Sequence, residues 1–80
     1  NYPNPFNPST KIKFQLPKAD FITLKIYDIS GKLVKSLLNE QKSAGYYSIN
    51  FDATMISSGI YFYTLSSSSF KDSKRMVVIK

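Results

Sequence analysis

The side chains that could do chemistry in this sequence are five carboxylates, scattered serines and eleven cations, with no histidine and no cysteine beside them. Acid–base catalysis at neutral pH draws first on imidazole, and transition-metal centres on imidazole and thiolate, so both lose their commonest donor. A disulfide framework is impossible for the same reason. Asp20, Asp28, Glu40, Asp52 and Asp72 fall by pattern at strand ends or in turns, where a carboxylate caps local backbone groups. No two are near enough in sequence to claim a shared site, and glycosidase-type acid and base work would need the fold to bring a pair together. The serines have no base to activate them, no glycine-rich phosphate loop is present, and metal ligands would be scattered oxygens. The expectation is a chain with no catalytic residue, no metal site and no cofactor.

Binding chemistry is the next possibility. Lys11, Lys13, Lys25, Lys35, Lys74, Arg75 and Lys80 lie on or near apolar runs, interleaved with Tyr27, Tyr46 and Phe62, a mixture that nucleic-acid stacking platforms use. Lysines also fill the solvated faces of sheets and guard their edges against aggregation. The second account is preferred, because only one of the eleven cations is Arg, the side chain suited to phosphate forks, and no ribonucleoprotein-type aromatic motif is present. Nucleic acid is therefore not an expected partner. Asn4-Pro5-Phe6 matches a short ligand of endocytic adaptors, at a length that chance supplies.

The elements that must position these groups are strands. Eighty residues make one domain at most, and 42% hydrophobic with 15% aromatic is enough for a core. Without disulfide or metal staples, so small a domain leans on its packing or on a neighbour. No run approaches the length of a membrane span, so membrane insertion is not expected. The start at Asn-Tyr-Pro rather than a basic and apolar leader makes the chain look like a piece of something longer.

Three of the four prolines, Pro3, Pro5 and Pro8, fall in the first eight residues and hold them extended. Residues 1–10 are thus a lead-in, with Tyr2 and Phe6 as groups that could lie down on the domain, and 11–80 form the folded body. Period-two alternation runs through that body. Ile12, Phe14 and Leu16 share one side, and after a turn at Pro17-Lys18-Ala19-Asp20, Ile22, Leu24 and Ile26 face in, a pattern that reads as a hairpin. Leu33 to Asn39 is irregular and calls for a bulge. Tyr47, Ile49 and Phe51 alternate with Ser48 and Asn50. Met55 or Ile56 plugs the end of the core. Ile60 to Ser66 is apolar on both faces and reads as a central strand, and a final strand places Met76 and Val78 against Val77 and Ile79. The even spacing of Gly31, Gly45 and Gly59 is what successive hairpins give, without duplication. The expected fold is all-β, an antiparallel immunoglobulin-like β-sandwich of about six to seven strands, with a small barrel as the alternative.

The opening Asn1-Tyr2-Pro3-Asn4-Pro5-Phe6-Asn7-Pro8-Ser9-Thr10, with Leu24-Lys25-Ile26-Tyr27-Asp28, Gly31-Lys32-Leu33-Val34, Ala44-Gly45-Tyr46-Tyr47, Ser58-Gly59-Ile60-Tyr61-Phe62-Tyr63 and the closing Lys74 to Lys80, resembles the C-terminal sorting domains (type A) of the type IX secretion system. The resemblance covers essentially the whole chain, and related sandwiches occur in the flagellar hook-capping protein. It implies a secretion signal that directs an upstream cargo domain across the outer membrane, so that the product is secreted or held at the cell surface. The implied partners are the outer-membrane translocon, a shuttle protein and a cysteine-protease sortase, with cleavage and attachment to surface lipopolysaccharide as one outcome. It further implies that Lys74, Arg75, Met76, Val77, Val78, Ile79 and Lys80 are the recognised element. Tyr2, Pro5, Phe6 and Pro8 would seal the sandwich at the cargo boundary. The alternatives are a non-catalytic immunoglobulin-like accessory module, or a carbohydrate- or matrix-binding one that would need Tyr27, Tyr46 and Phe62 in a planar strip.

Overall fold

Alternation of apolar and polar side chains resolves into six strands, and the computed structural model describes residues 9–54 and 56–79. They are β1 (Ser9–Leu16), β2 (Asp20–Asp28), β3 (Leu33–Lys42), β4 (Gly45–Asp52), β5 (Gly59–Ser66) and β6 (Lys71–Val78). β1 and β4 pair antiparallel as a two-stranded sheet, and the rest form a four-stranded antiparallel sheet in the order β3-β2-β5-β6. This is the antiparallel sandwich expected, in an immunoglobulin-like form, with two separate sheets in place of a closed barrel. Met55 and the lead-in through Pro8 lie outside the described residues.

In β1, β2 and β4 the inward faces are those the alternation marks, and in β5 and β6, apolar on both sides, the structure selects the faces of Tyr61, Leu65 and Val78. Ile12 and Leu16 of β1, Ile22, Leu24 and Ile26 of β2, Phe51 of β4, Tyr61 and Leu65 of β5 and Val78 of β6 form one buried cluster with Ala53. Phe14, Tyr47, Ile49, Tyr63 and Met76 pack half-buried against it, as does Ile56, which fills the plugging role expected in the loop after β4. β5 lies between β2 and β6, the interior place its two apolar faces suggest.

One expectation fails. β1 and β2 do not form a hairpin: Leu16 pairs with Gly45 of β4, and the Pro17 turn carries the chain from one sheet to the other. Alternation specifies which face of a strand is buried but not which strand it pairs with, and a sheet-crossing turn meets the same pattern.

The irregular third strand carries two interruptions. Its register against β2 skips between Leu24 and Lys25, where the partner changes from Leu38 to Ser36, and again between Ile26 and Tyr27, where it changes from Lys35 to Leu33. The residues passed over are Leu37 and Val34. Each added residue resets the alternation, so that Val34, Leu37 and Leu38 all reach the core, which no unbroken strand allows.

Two tyrosines fix the starts of β4 and β5 by the same device. The Tyr47 hydroxyl donates to the Ser43 carbonyl at 2.6 Å and the Tyr61 hydroxyl to the Ser57 carbonyl at 2.8 Å, in each case four residues upstream. Between donor and acceptor stands a glycine, Gly45 or Gly59, at φ of 149° and 159°, a backbone that L side chains rarely adopt. Ser-Ala-Gly-Tyr-Tyr and Ser-Ser-Gly-Ile-Tyr are therefore one local construction used twice, resembling the tyrosine corner of immunoglobulin-like sandwiches.

Two outcomes follow for stability. Leu24→Ala, at a fully buried position in the middle of the sheet, is expected to cost about 2–5 kcal/mol in urea unfolding. Tyr61→Phe should cost about 1 kcal/mol, while Ser57→Ala, which keeps the carbonyl, should cost far less.

Candidate functional site

Function in a chain with this composition is sought on its surface, and the strand to consider first is the last. β6 begins charged and ends apolar: Lys71, Asp72, Ser73, Lys74 and Arg75 are all exposed, Met76 is half-buried, Val77 is exposed and Val78 is buried. Its parity explains the split. Met76 lies opposite Tyr61 and faces the core, whereas Arg75 lies opposite Phe62 and Val77 opposite Ile60 on the outward face. Of the sequence-expected recognition residues, Met76 and Val78 are therefore held by the interior, and Lys74, Arg75, Val77 and Ile79 are open to a partner. Lys80 lies outside the described residues, as do Tyr2, Pro5, Phe6 and Pro8.

Among the described residues β6 is hydrogen-bonded along one side only, to β5, through eight consecutive antiparallel pairs from Gly59–Val78 to Ser66–Lys71 without a register shift. β3, at the opposite border of the same sheet, is broken by its two bulges and carries Glu40 and Lys42 as an ion pair at 3.0 Å. Bulges and charge are the usual means of blunting a sheet edge, and a straight strand leaves its backbone groups available.

The base of β6 is tied to the rest of the sheet by the serine turn. Ser67 Oγ accepts from the Ser69 and Phe70 N–H groups, and the Ser67 N–H donates to the Phe70 carbonyl at 2.8 Å. Ser68 Oγ donates to the Asp20 carboxylate, 3.0 Å to Oδ1 and 2.9 Å to Oδ2, linking the β5–β6 turn to the start of β2. That hydroxyl first, and then the Phe21 N–H, hold the Asp20 carboxyl below its ordinary value of 3.8 against the opposing pull of burial. At the other end of β2, Asp28 Oδ1 accepts from the Ser30 hydroxyl, the Ser30 N–H and the Lys32 N–H, and the Ser30 hydroxyl is the main cause of its lowered pKa. Both aspartates thus serve turns. Among the described residues no three His, Cys, Asp or Glu side chains are grouped to hold a metal ion.

The aromatic residues do not make a single strip. Tyr27 and Phe62 are direct partners on the outward face of the four-stranded sheet, while Tyr46, 82% exposed, stands on the outward face of the other sheet. Beside Tyr46 an open groove of about 440 Å³ is lined by Lys13, Phe14, Gln15, Tyr46, Tyr47 and Ser48. Two of its lining rings, Phe14 and Tyr47, stack at 5.3 Å, and Lys42 Nζ sits 5.0 Å from the centre of the Tyr47 ring. The pairing of β1 with β4 creates this cluster, which sequence reasoning missed along with the Ser68–Asp20 link. Both depend on partners far apart in the chain.

Comparison with known families is decisive for what this surface belongs to. The secretion system C-terminal sorting domain matches residues 1–80, the whole chain. The chain belongs to that family. No curated protein and no solved structure matches it. A sorting domain of this family is the C-terminal signal of type IX secretion cargo: it marks proteins that cross the outer membrane to the cell surface or are released. The sorting domain is accordingly part of a larger cargo chain and interacts with the type IX machinery. Domains of this family are in general non-catalytic.

The Ser68–Asp20 link gives a pH test. Because the folded-state pKa of Asp20 is depressed, the stabilisation is complete above the unfolded value of about 3.8 and is lost as pH falls through the lower folded value. Ser68→Ala should lower the urea midpoint at neutral pH, and the gap from the unsubstituted chain should close in acid. A gap unchanged at about pH 2 would contradict the linkage.

Proposed function

We propose that the export machinery reads this domain through its last strand, with Lys74, Arg75, Met76, Val77, Val78, Ile79 and Lys80 as the recognised element. The observation that carries the reading is the contrast between the two borders of the four-stranded sheet, where β3 is interrupted by two bulges and β6 runs without a register shift. An added strand from a partner gains a regular ladder of backbone hydrogen bonds from such an edge, and the side chains beside it supply specificity. Met76 and Val78, packed against the core, hold the strand in register while Lys74, Arg75, Val77 and Ile79 present charge and apolar surface.

The partners under this reading are the outer-membrane translocon, the shuttle protein that receives the domain and the sortase that acts on it. The domain is their ligand and substrate and performs no catalysis itself. Tyr2, Pro5, Phe6 and Pro8 mark the boundary with the upstream cargo, and residues 11–80 are the signal. A carbohydrate-binding module is the weaker reading, because Tyr46 stands on a different sheet from Tyr27 and Phe62.

A fluorescent reporter fused ahead of this domain, in cells carrying the machinery, tests the reading. Deleting residues 74–80 is expected to leave a folded, fluorescent reporter in the periplasm at the level of a fusion with no domain. Surface delivery equal to the intact fusion would sink the assignment.

A further inference from the structure

The outward face of the four-stranded sheet joins the last strand to a wider apolar surface. One row across the sheet runs Leu33, Tyr27, Phe62, Arg75, from β3 through β2 and β5 to β6. The next row towards the start of β5 holds Ile60 opposite Val77. Ile29 and Ile79 follow β2 and β6 at that same end of the sheet. Ile29, Leu33, Ile60, Val77 and Ile79 are five of the seven large hydrophobic residues exposed among the described residues, with Ile79 at 77% and Val77 at 57%. Singly exposed apolar residues are ordinary, but concentration at one end of one face is the mark of an interaction site.

Charge says what kind of surface fits. The rows towards the other end are Lys25, Thr64, Ser73 and then Thr23, Ser66, Lys71, with Ser36 and Asn39 on the β3 side. Together with Arg75 the face carries three cations, and no carboxylate stands in any of these rows. An apolar centre with an uncompensated positive border selects a partner that brings negative charge. The cation inside the apolar row is the chain's one arginine, a residue type whose guanidinium can fork onto a partner's carboxylate, and arginine in one row with two aromatic residues is the composition of a protein–protein hot spot.

We propose that this face, centred on Tyr27, Phe62 and Arg75 with Ile60 and Val77, docks a protein surface that sets carboxylates around an apolar centre. The proposal rests on the reading of β6 as the recognised strand and adds which side of it is read: Arg75, Val77 and Ile79 outward, together with residues of β2 and β5 far away in sequence.

The test uses the full parent chain in cells carrying the export machinery, with Val77→benzoylphenylalanine as a photo-cross-linking probe. The expected result is an adduct with a second protein, mapped by mass spectrometry to a segment where Asp or Glu flanks apolar residues. Arg75→Glu should reduce it about tenfold or more, with Arg75→Gln as the milder variant should the reversal disturb folding, and Lys13→Glu on the other sheet should leave it unchanged. An adduct with a second copy of the chain, with residues 1–8 of the same chain or with lipid would overturn the proposal, as would an adduct indifferent to both substitutions at Arg75. The export of the same variants separates the two readings. Full delivery of Arg75→Glu beside blocked delivery of the 74–80 deletion overturns the docking face and leaves the recognised strand standing; full delivery of both overturns both.

Discussion

The structure depends on one constraint, that a two-stranded sheet must cover the inner face of a four-stranded one without disulfide or metal. Ile12, Leu16 and Phe51 from the smaller sheet meet Ile22, Leu24 and Ile26 of β2, the last three with no exposure at all. Burial of each such side chain is worth about 1.5–3 kcal/mol, and few residues of the chain contribute at that level. The cover is two strands wide over a sheet of four, so the flanks of the larger sheet close less completely. Met76 and Tyr63 are only half-buried, and Val34, Leu37 and Leu38 reach the core through bulges.

That narrow cover shapes the surface. The two borders of the larger sheet are managed differently, one by bulges and an ion pair, the other by nothing but charge along its first half. A domain handled by other proteins needs at least one part of its surface that is not blunted. β6 combines the qualities required: core residues on one face fix its place, an unbroken edge faces outward, and Arg75 and Val77 join it to Tyr27, Phe62 and Ile60. Its anchoring turn is made of serines: the Ser67 hydroxyl takes the Ser69 and Phe70 N–H groups, and the Ser68 hydroxyl reaches the Asp20 carboxylate at the start of β2.

How far the sequence could be read follows from what kind of information alternation carries. The inward faces of β1, β2 and β4 were legible because period-two patterning reports burial directly, and Ile22, Leu24 and Ile26 are fully buried as it indicates, whereas β5 and the end of β6 are apolar on both faces and only their pairing and burial decide which side is inward. The partner of β1 was not, because a hairpin and a sheet-crossing turn after Leu16 leave the same pattern; only Leu16 opposite Gly45 distinguishes them. The need for a bulge in β3 was visible in Val34, Leu37 and Leu38, but not that two were needed. The repeated Ser-x-Gly-x-Tyr segment was in view as evenly spaced glycines, and its meaning lies in hydroxyl-to-carbonyl bonds that spacing alone does not show. For the site, the resemblance pointed to the last strand, and the separation into core-facing and outward residues came from its register against β5.

The central claim is that the straight border at β6, and not the bulged border at β3, receives the partner's strand. Amide hydrogen exchange on the parent chain, alone and with the outer-membrane shuttle protein proposed to receive it, measures this directly, because an added strand protects only the edge it pairs with. The account predicts new protection at alternate amides of β6, with β3 exchanging as before. New protection along β3 with β6 unchanged would contradict it.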